Sequence, residues 1–126
     1  AADMDSITDF VPDGDFLRFD TSSDGAGTND AALAGNEANQ FDNGMATGDL
    51  ATAIANADSL SNAINTFLAA SSFLDNDVAG FVYSGSTYVV HADGDNAAGN
   101  IVKLQGVTTL DGLEERDSTD VFFGFT

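Results

Sequence analysis

Residues 79–91 read AGFVYSGSTYVVH, two strand-forming runs separated by a short turn. The β-branched and aromatic residues form the two runs, 79–83 and 87–91, in which the side chains favour extended backbone. The intervening Ser84, Gly85 and Ser86 supply a glycine-containing turn of the kind that joins antiparallel neighbours. The sequence therefore predicts a β-hairpin.

The hairpin is followed by further strand-forming sequence. A third β-rich run, residues 100–105, comes after an acidic turn at residues 93–96. The chain's last apolar residues are Val121, Phe122, Phe123 and Phe125, which are too apolar to lie free in water. Polar–apolar alternation fails at Phe122 and Phe123, as it does in a strand buried on both faces. We therefore predict a small antiparallel sheet over about residues 79–125, ending in a closing strand.

Before the hairpin, residues 49–74 have the period of a helix. Apolar residues recur at steps of three and four at Leu50, Ile54, Ala57, Leu60, Ile64 and Phe67. Asp49 is placed to cap the amino end, and Asp58 and Ser59 favour a break. We predict one or two helices that dock Ile54, Ile64 and Phe67 on the sheet.

Residues 21–48 differ from both neighbours in composition. They are mainly Gly, Asn, Ala and Asp, with isolated Leu33, Phe41 and Met45. This composition predicts a long surface loop rather than a regular element.

The amino-terminal segment, residues 5–19, reads DSITDFVPDGDFLRF. Ile7, Leu17 and Phe19 have strand spacing, and Pro12 marks a turn between them, so we predict an Asp-rich strand pair over residues 5–20. Aspartates crowd the turn at positions 5, 9, 13 and 15, where their oxygens could converge on a hard cation such as calcium. Together the segments predict an α+β fold, mainly β, in a single domain that spans residues 1–126.

The same segment resembles the D-x-I-x-D-F-x-x-G-x-D-x-I/L-x-L signature that follows the glycine- and aspartate-rich repeats of RTX proteins, which type I secretion exports. The residues that match in register are Asp5, Ile7, Asp9, Phe10, Asp15, Leu17 and Phe19. Asp13 stands where the family has glycine. The resemblance implies calcium as the cofactor, Asp5, Asp9 and Asp15 as ligands, and the type I exporter as a partner in transit.

Two other parts of the chain support the resemblance. Residues 88–107 resemble the sheet segment near the end of many RTX and S-layer-like chains, and residues 120–126 resemble type I secretion termini. The resemblance therefore implies an extracellular or cell-surface protein whose closing strand doubles as an export signal. The G-G-x-G-x-D-x-U-x repeat that supplies most calcium ligands of the RTX β-roll does not occur here.

Composition narrows the choice of partners. The formal net charge of −18 repels phosphate backbones and anionic lipid surfaces, so we expect neither nucleic acid nor membrane insertion. Of the 21 acidic residues, 18 are Asp, whose short side chains suit turns and metal loops. Acidity that serves only solubility is the competing interpretation. The absence of cysteine excludes disulfides and thiolate metal sites.

Asp93 and Asp95 are a second candidate calcium site, for which a plain turn is the competing interpretation. Catalytic signals are weak, since His91 is the only histidine and no motif surrounds it. Carboxylates such as Glu114 and Glu115 could serve glycoside hydrolysis only if a cleft placed two of them about 5–10 Å apart, whereas adjacent side chains generally point apart. We expect a non-catalytic, calcium-stabilised module. The alternatives are a self-assembling subunit of a surface layer or filament, and a secreted hydrolase, which needs a cleft with convergent carboxylates.

Overall fold

The computed structural model describes residues 4–11, 15, 17–18, 32–33, 37–75, 77–108, 113–117 and 122–125. In chain order the elements are β1 (Met4–Ile7), β2 (Leu17–Arg18), β3 (Ala32–Leu33), β4 (Phe41–Asp42), β5 (Met45–Ala46), α1 (Gly48–Ala55), α2 (Leu60–Leu68), β6 (Asp77–Tyr83), β7 (Ser86–Ala92), β8 (Ala98–Leu104), β9 (Leu113–Asp117) and β10 (Phe122–Phe125). The predicted α+β class, with more strand than helix, is confirmed.

The predicted hairpin forms the centre of the fold. Strands β6 and β7 pair in register from Val78 opposite His91 to Tyr83 opposite Ser86. The two turn residues, Ser84 and Gly85, have φ angles of 48° and 84°. Positive φ at both positions defines a type I′ turn, whose twist matches that of the strands it joins.

The main sheet is mixed, which corrects the prediction of a purely antiparallel sheet. Its order is β1-β8-β7-β6-β5-β4, and β3 pairs with β6 beside β5. Strands β6, β7 and β8 are antiparallel, whereas β1 joins β8, and β3 and β5 join β6, in parallel. Strands joined by a tight turn must be antiparallel, whereas strands joined by a long connection can be parallel. Each parallel pair here is separated by a long stretch of sequence.

The predicted Asp-rich strand pair is not formed as a pair. Both of its strands exist, but β1 pairs with β8 in the main sheet, and β2 pairs with β10 in a separate three-stranded sheet. Between them Phe10 is buried, and Leu17 at the start of β2 is buried as well. Both side chains belong to the cluster that contains Val78 and Val89. These two side chains therefore pack against the main sheet instead of holding β1 and β2 together as a pair.

The predicted long loop contains regular structure in its second half. Strands β4 and β5 form a hairpin with Phe41 opposite Ala46, and its turn residues Asn43 and Gly44 have φ angles of 49° and 75°. Asn-Gly is a strong signal for a type I′ hairpin turn. The prediction of a loop is therefore wrong at residues 41–46. Residues 21–31 and 34–36 of the predicted loop lie outside the described residues.

The helical prediction is confirmed as two helices with a break at Asp58 and Ser59. The Ser59 hydroxyl caps α2 by accepting from the Asn62 amide (3.2 Å). Thr47, rather than the expected Asp49, is the N-cap residue of α1, and Asp49 lies in the first turn. Helix α2 ends at Leu68, so residues 69–75 form a loop and not the expected last helical turn.

Two apolar clusters pack on the two faces of the main sheet. On the helix side, Phe67 contacts the rings of Phe41, Phe73 and Phe81, with centroids 5.7, 4.8 and 4.9 Å away. As predicted, Ile54 and Phe67 are fully buried, whereas Ile64 is only half-buried. On the opposite face, buried residues form the second cluster: Phe10, Leu17, Met45, Val78, Val89, Leu104 and Val107.

The carboxy-terminal strand belongs to the smaller sheet and not to the main one. Strand β10 lies in the middle of the order β2-β10-β9 and is antiparallel to both neighbours. The predicted strand is therefore confirmed at residues 122–125, and Val121 lies outside the described residues. In the part of the chain that the structure describes, no helix has the length and apolar character needed to cross a membrane.

Candidate functional site

Four carboxylates lie where the loop after α2, residues 69–75, meets the turn between β7 and β8, residues 93–97. We call Asp75, Asp77, Asp93 and Asp95 the acidic corner. The Asp75 amide donates to Asp95 Oδ1 (2.9 Å), and the Gly94 amide donates to Asp75 Oδ1 (2.6 Å). These hydrogen bonds bring together two segments that lie about 20 residues apart.

Asn96, in the turn between β7 and β8, hydrogen-bonds to the loop after α2. Its φ of 56° places it in the left-handed region, which Asn tolerates better than most residues. The Asn96 Nδ2 group donates to the carbonyl oxygens of Leu68 (2.6 Å) and Ala70 (2.7 Å). Asn96 therefore satisfies carbonyl groups at the carboxyl end of α2, where helices lack internal partners.

A second set of hydrogen bonds holds the loop of residues 69–75 from its other side. The Gln40 side chain donates through Nε2 to the Ser71 hydroxyl (3.1 Å), and its Oε1 accepts from the amide and hydroxyl of Ser72 (3.1 and 2.6 Å). Buried Phe73 follows directly. The loop that carries Asp75 is thus fixed by contacts on both sides and by a side chain in the core.

Asp77 is the member of the corner whose ionisation is most affected by the fold. Partial burial raises its pKa above 3.8, and the negative charges of Asp95 and Asp75 raise it further, while the hydrogen bond that the Leu74 amide donates to it (2.9 Å) has the opposite effect. The folded state therefore places like charges near one another at a partly dehydrated position.

His91 lies on β7 next to the same charges and is 8% exposed. Burial lowers its pKa below 6.5, and the charges of Asp75 and Asp93 counteract part of this effect. The residue is a strand residue, as the sequence suggested. Its burial keeps the imidazole away from solvent, where a substrate would have to approach.

Asp5, Asp9 and Asp15, which the resemblance implies as calcium ligands, are all exposed. Asp5 lies on the edge strand β1, opposite Val102 of β8. Asp15 closes a local turn with Val11, since the Val11 amide donates to Asp15 Oδ2 and the Asp15 amide donates to the Val11 carbonyl, both at 2.8 Å. The fourth aspartate of this segment, Asp13, lies outside the described residues.

Within the described ranges, no group of three or more His, Cys, Asp or Glu side chains is placed so that it could hold a metal ion. The second predicted site, Asp93 and Asp95, forms part of the acidic corner, and Asp95 also has the turn-fastening role of the competing interpretation. Sequence reasoning missed Asp75 and Asp77. Their only local signal is two aspartates at the start of a strand, one before β6 and one as its first residue, and their proximity to Asp95 depends on the fold.

Comparison of the chain with protein-family models, with curated proteins and with solved structures found no match.

Proposed function

We propose that this chain is a non-catalytic, extracellular structural module, the carboxy-terminal region of an RTX or S-layer-like protein exported by type I secretion, and that calcium stabilises its folded state. The observation that supports calcium most directly is the acidic corner. Its carboxylates come from both sides of one junction, and the pKa of Asp77 is raised by partial burial first and by the charges of Asp95 and Asp75 in addition. A cation held there would remove the repulsion among these charges only when the chain is folded.

The mechanism is thermodynamic linkage. In a calcium-poor cytoplasm, the net charge of −18 favours a loose chain that an exporter can pass. Outside the cell, calcium binds the folded form and stabilises it by RT ln(1 + [L]/Kd). Carbonyl oxygens and water complete the six to eight oxygen ligands that calcium takes. Asp5, Asp9 and Asp15 remain a second proposed site, which the resemblance supports.

Thermal melting in calcium tests this proposal. Extracellular modules bind calcium with Kd values of about 10⁻³ M or somewhat tighter, so about 5 mM calcium adds about 1 kcal/mol. For a domain of this size that is a rise in Tm of about 3–5 °C, and magnesium should give less. An unchanged Tm in calcium contradicts the proposal.

Paired variants locate the ion. Asp75→Asn with Asp95→Asn keeps an oxygen acceptor at each position but removes both charges, so it should stabilise the calcium-free protein and abolish the calcium response. Asp9→Asn with Asp15→Asn tests the other site in the same way. Asp58→Asn, at an exposed position between the helices, is the matched control. A full response in both double variants would show that the ion binds elsewhere.

Self-assembly is a second candidate function, and the edge of the main sheet favours it. Strand β1 is an outer strand of that sheet and is largely exposed, with no further described strand on its free side. Strand β10, by contrast, has neighbours on both sides. Assembly would then use β1 rather than the Phe-rich terminus. Sedimentation velocity with and without calcium tests this, and a monomer in both conditions at high concentration rejects it.

A further inference from the structure

A groove separates α2 from the β1 side of the main sheet. It encloses about 390 Å³, within the range of about 300–1,000 Å³ of small-molecule sites. On α2 the residues Leu60, Ile64 and Leu68 recur every four positions and form one wall. The sheet supplies the rest of the apolar lining through Met4, Ala98 and Ile101.

Two neutral polar side chains line the same groove. Ser61 and Asn65 also lie four residues apart on α2, so they share one side of the helix. Neither the Ser61 hydroxyl nor the Asn65 carboxamide hydrogen-bonds to another described residue. Together they offer donors and an acceptor beside an apolar surface, the usual arrangement of small-molecule sites.

The charge of the groove differs from that of the chain. None of the described residues that line it is charged, although the chain has 21 acidic residues and a net charge of −18. An anion approaching it is repelled by the surrounding field. A cation would lose water without gaining a partner among the lining side chains. The lining therefore matches an uncharged ligand.

We propose that this groove binds a small uncharged molecule with an apolar body and one hydrogen-bonding group, such as a hydroxyl, arylamine or amide. The apolar body lies between the Leu60, Ile64 and Leu68 wall and Ile101, and the polar group meets Ser61 or Asn65. The lining includes none of the four aspartates of the acidic corner, so the proposed ligand binds without contacting their carboxylates.

The test uses two fluorescent probes that share one ring framework. N-phenyl-1-naphthylamine is uncharged and has a single N–H donor, whereas 8-anilinonaphthalene-1-sulfonate adds a negative charge. The full chain should bind the uncharged probe saturably at one class of sites, and the sulfonate about tenfold more weakly, equivalent to about 1.4 kcal/mol. Equal binding of both probes, or a signal that does not saturate, overturns the proposal.

Substitutions assign the binding to the groove. Ser61→Trp fills it from an exposed position and should weaken the uncharged probe about tenfold or more. Ala53→Trp puts the same side chain on an exposed position of α1 and should leave binding unchanged. Asn65→Leu keeps the apolar wall but removes the hydrogen-bonding group, so affinity should fall about three- to tenfold.

Circular dichroism must show that each variant is folded before its affinity is compared. Unchanged affinity in folded Ser61→Trp, or equal losses in Ser61→Trp and Ala53→Trp, places the probe outside the groove and refutes the site. If Asn65→Leu binds as well as the parent chain, the hydrogen-bonding part of the proposal is wrong.

Discussion

Replacement of Asn96 by Asp should destabilise the protein strongly, although it only exchanges the side-chain NH₂ group for an oxygen. The Asn96 amide nitrogen donates to the Leu68 and Ala70 carbonyl oxygens at 2.6 and 2.7 Å, and a carboxylate cannot donate. Each lost hydrogen bond costs about 0.5–1.5 kcal/mol. An anion near the carboxyl end of α2 costs about 0.3–1 kcal/mol more.

The free energy of unfolding should therefore fall by about 1.3–4 kcal/mol at pH 7. Urea denaturation measures this loss, which corresponds to a midpoint shift of about 0.7–2 M for a typical small domain. Asn96→Gly is the control, because it removes the same two hydrogen bonds but adds no charge and relieves the positive φ of 56°. Its cost should be about 1 kcal/mol.

The effect of pH separates charge from lost contacts. Near the ordinary Asp pKa of about 3.9, the new carboxyl gains a proton and can donate again, so the gap between Asn96→Asp and Asn96→Gly should narrow. If Asn96→Asp costs less than about 1 kcal/mol, or costs no more than Asn96→Gly at pH 7, Asn96 does not hold the junction through its side chain.

Three further predictions concern the core, pH and the terminus. Phe67→Ala should lower the free energy of unfolding by about 3–5 kcal/mol in urea denaturation, because Phe67 is fully buried among three rings. Ile64→Ala should lower it clearly less, because Ile64 is only half-buried. Equal losses in the two variants would contradict this packing. Burial lowers the pKa of His91 below 6.5, so the unfolded chain binds a proton first as pH falls. In a metal chelator, stability should therefore decline below about pH 6.5, and His91→Gln should flatten that decline in Tm; an identical decline in the variant would assign it to other groups. Deletion of residues 120–126 removes β10 from between β2 and β9, so it should lower the Tm of protein purified from the cytoplasm and abolish secretion; normal secretion would reject the export role.

Local sequence signals were sufficient for the elements that depend on near neighbours. The hairpin of β6 and β7 follows from Ser84 and Gly85 between two β-branched runs, and the break between the helices follows from Asp58 and Ser59. The Asn43-Gly44 turn has an equally local sequence signal, although the polar segment around it is typical of a loop. In each case a few adjacent residues restrict the backbone, so no distant contact is needed to select the conformation.

The tertiary structure alone decided which strands meet and which carboxylates become neighbours. Strand β1 pairs with β8 rather than β2, because Phe10 and Leu17 are buried in the apolar cluster that contains Val78 and Val89 of the main sheet. Asp75 meets Asp95 only because the loop after α2 is anchored by Gln40, Phe73 and Asn96. Pairing and charge proximity of this kind depend on the free energy of the whole packed core, which no local pattern in the sequence contains.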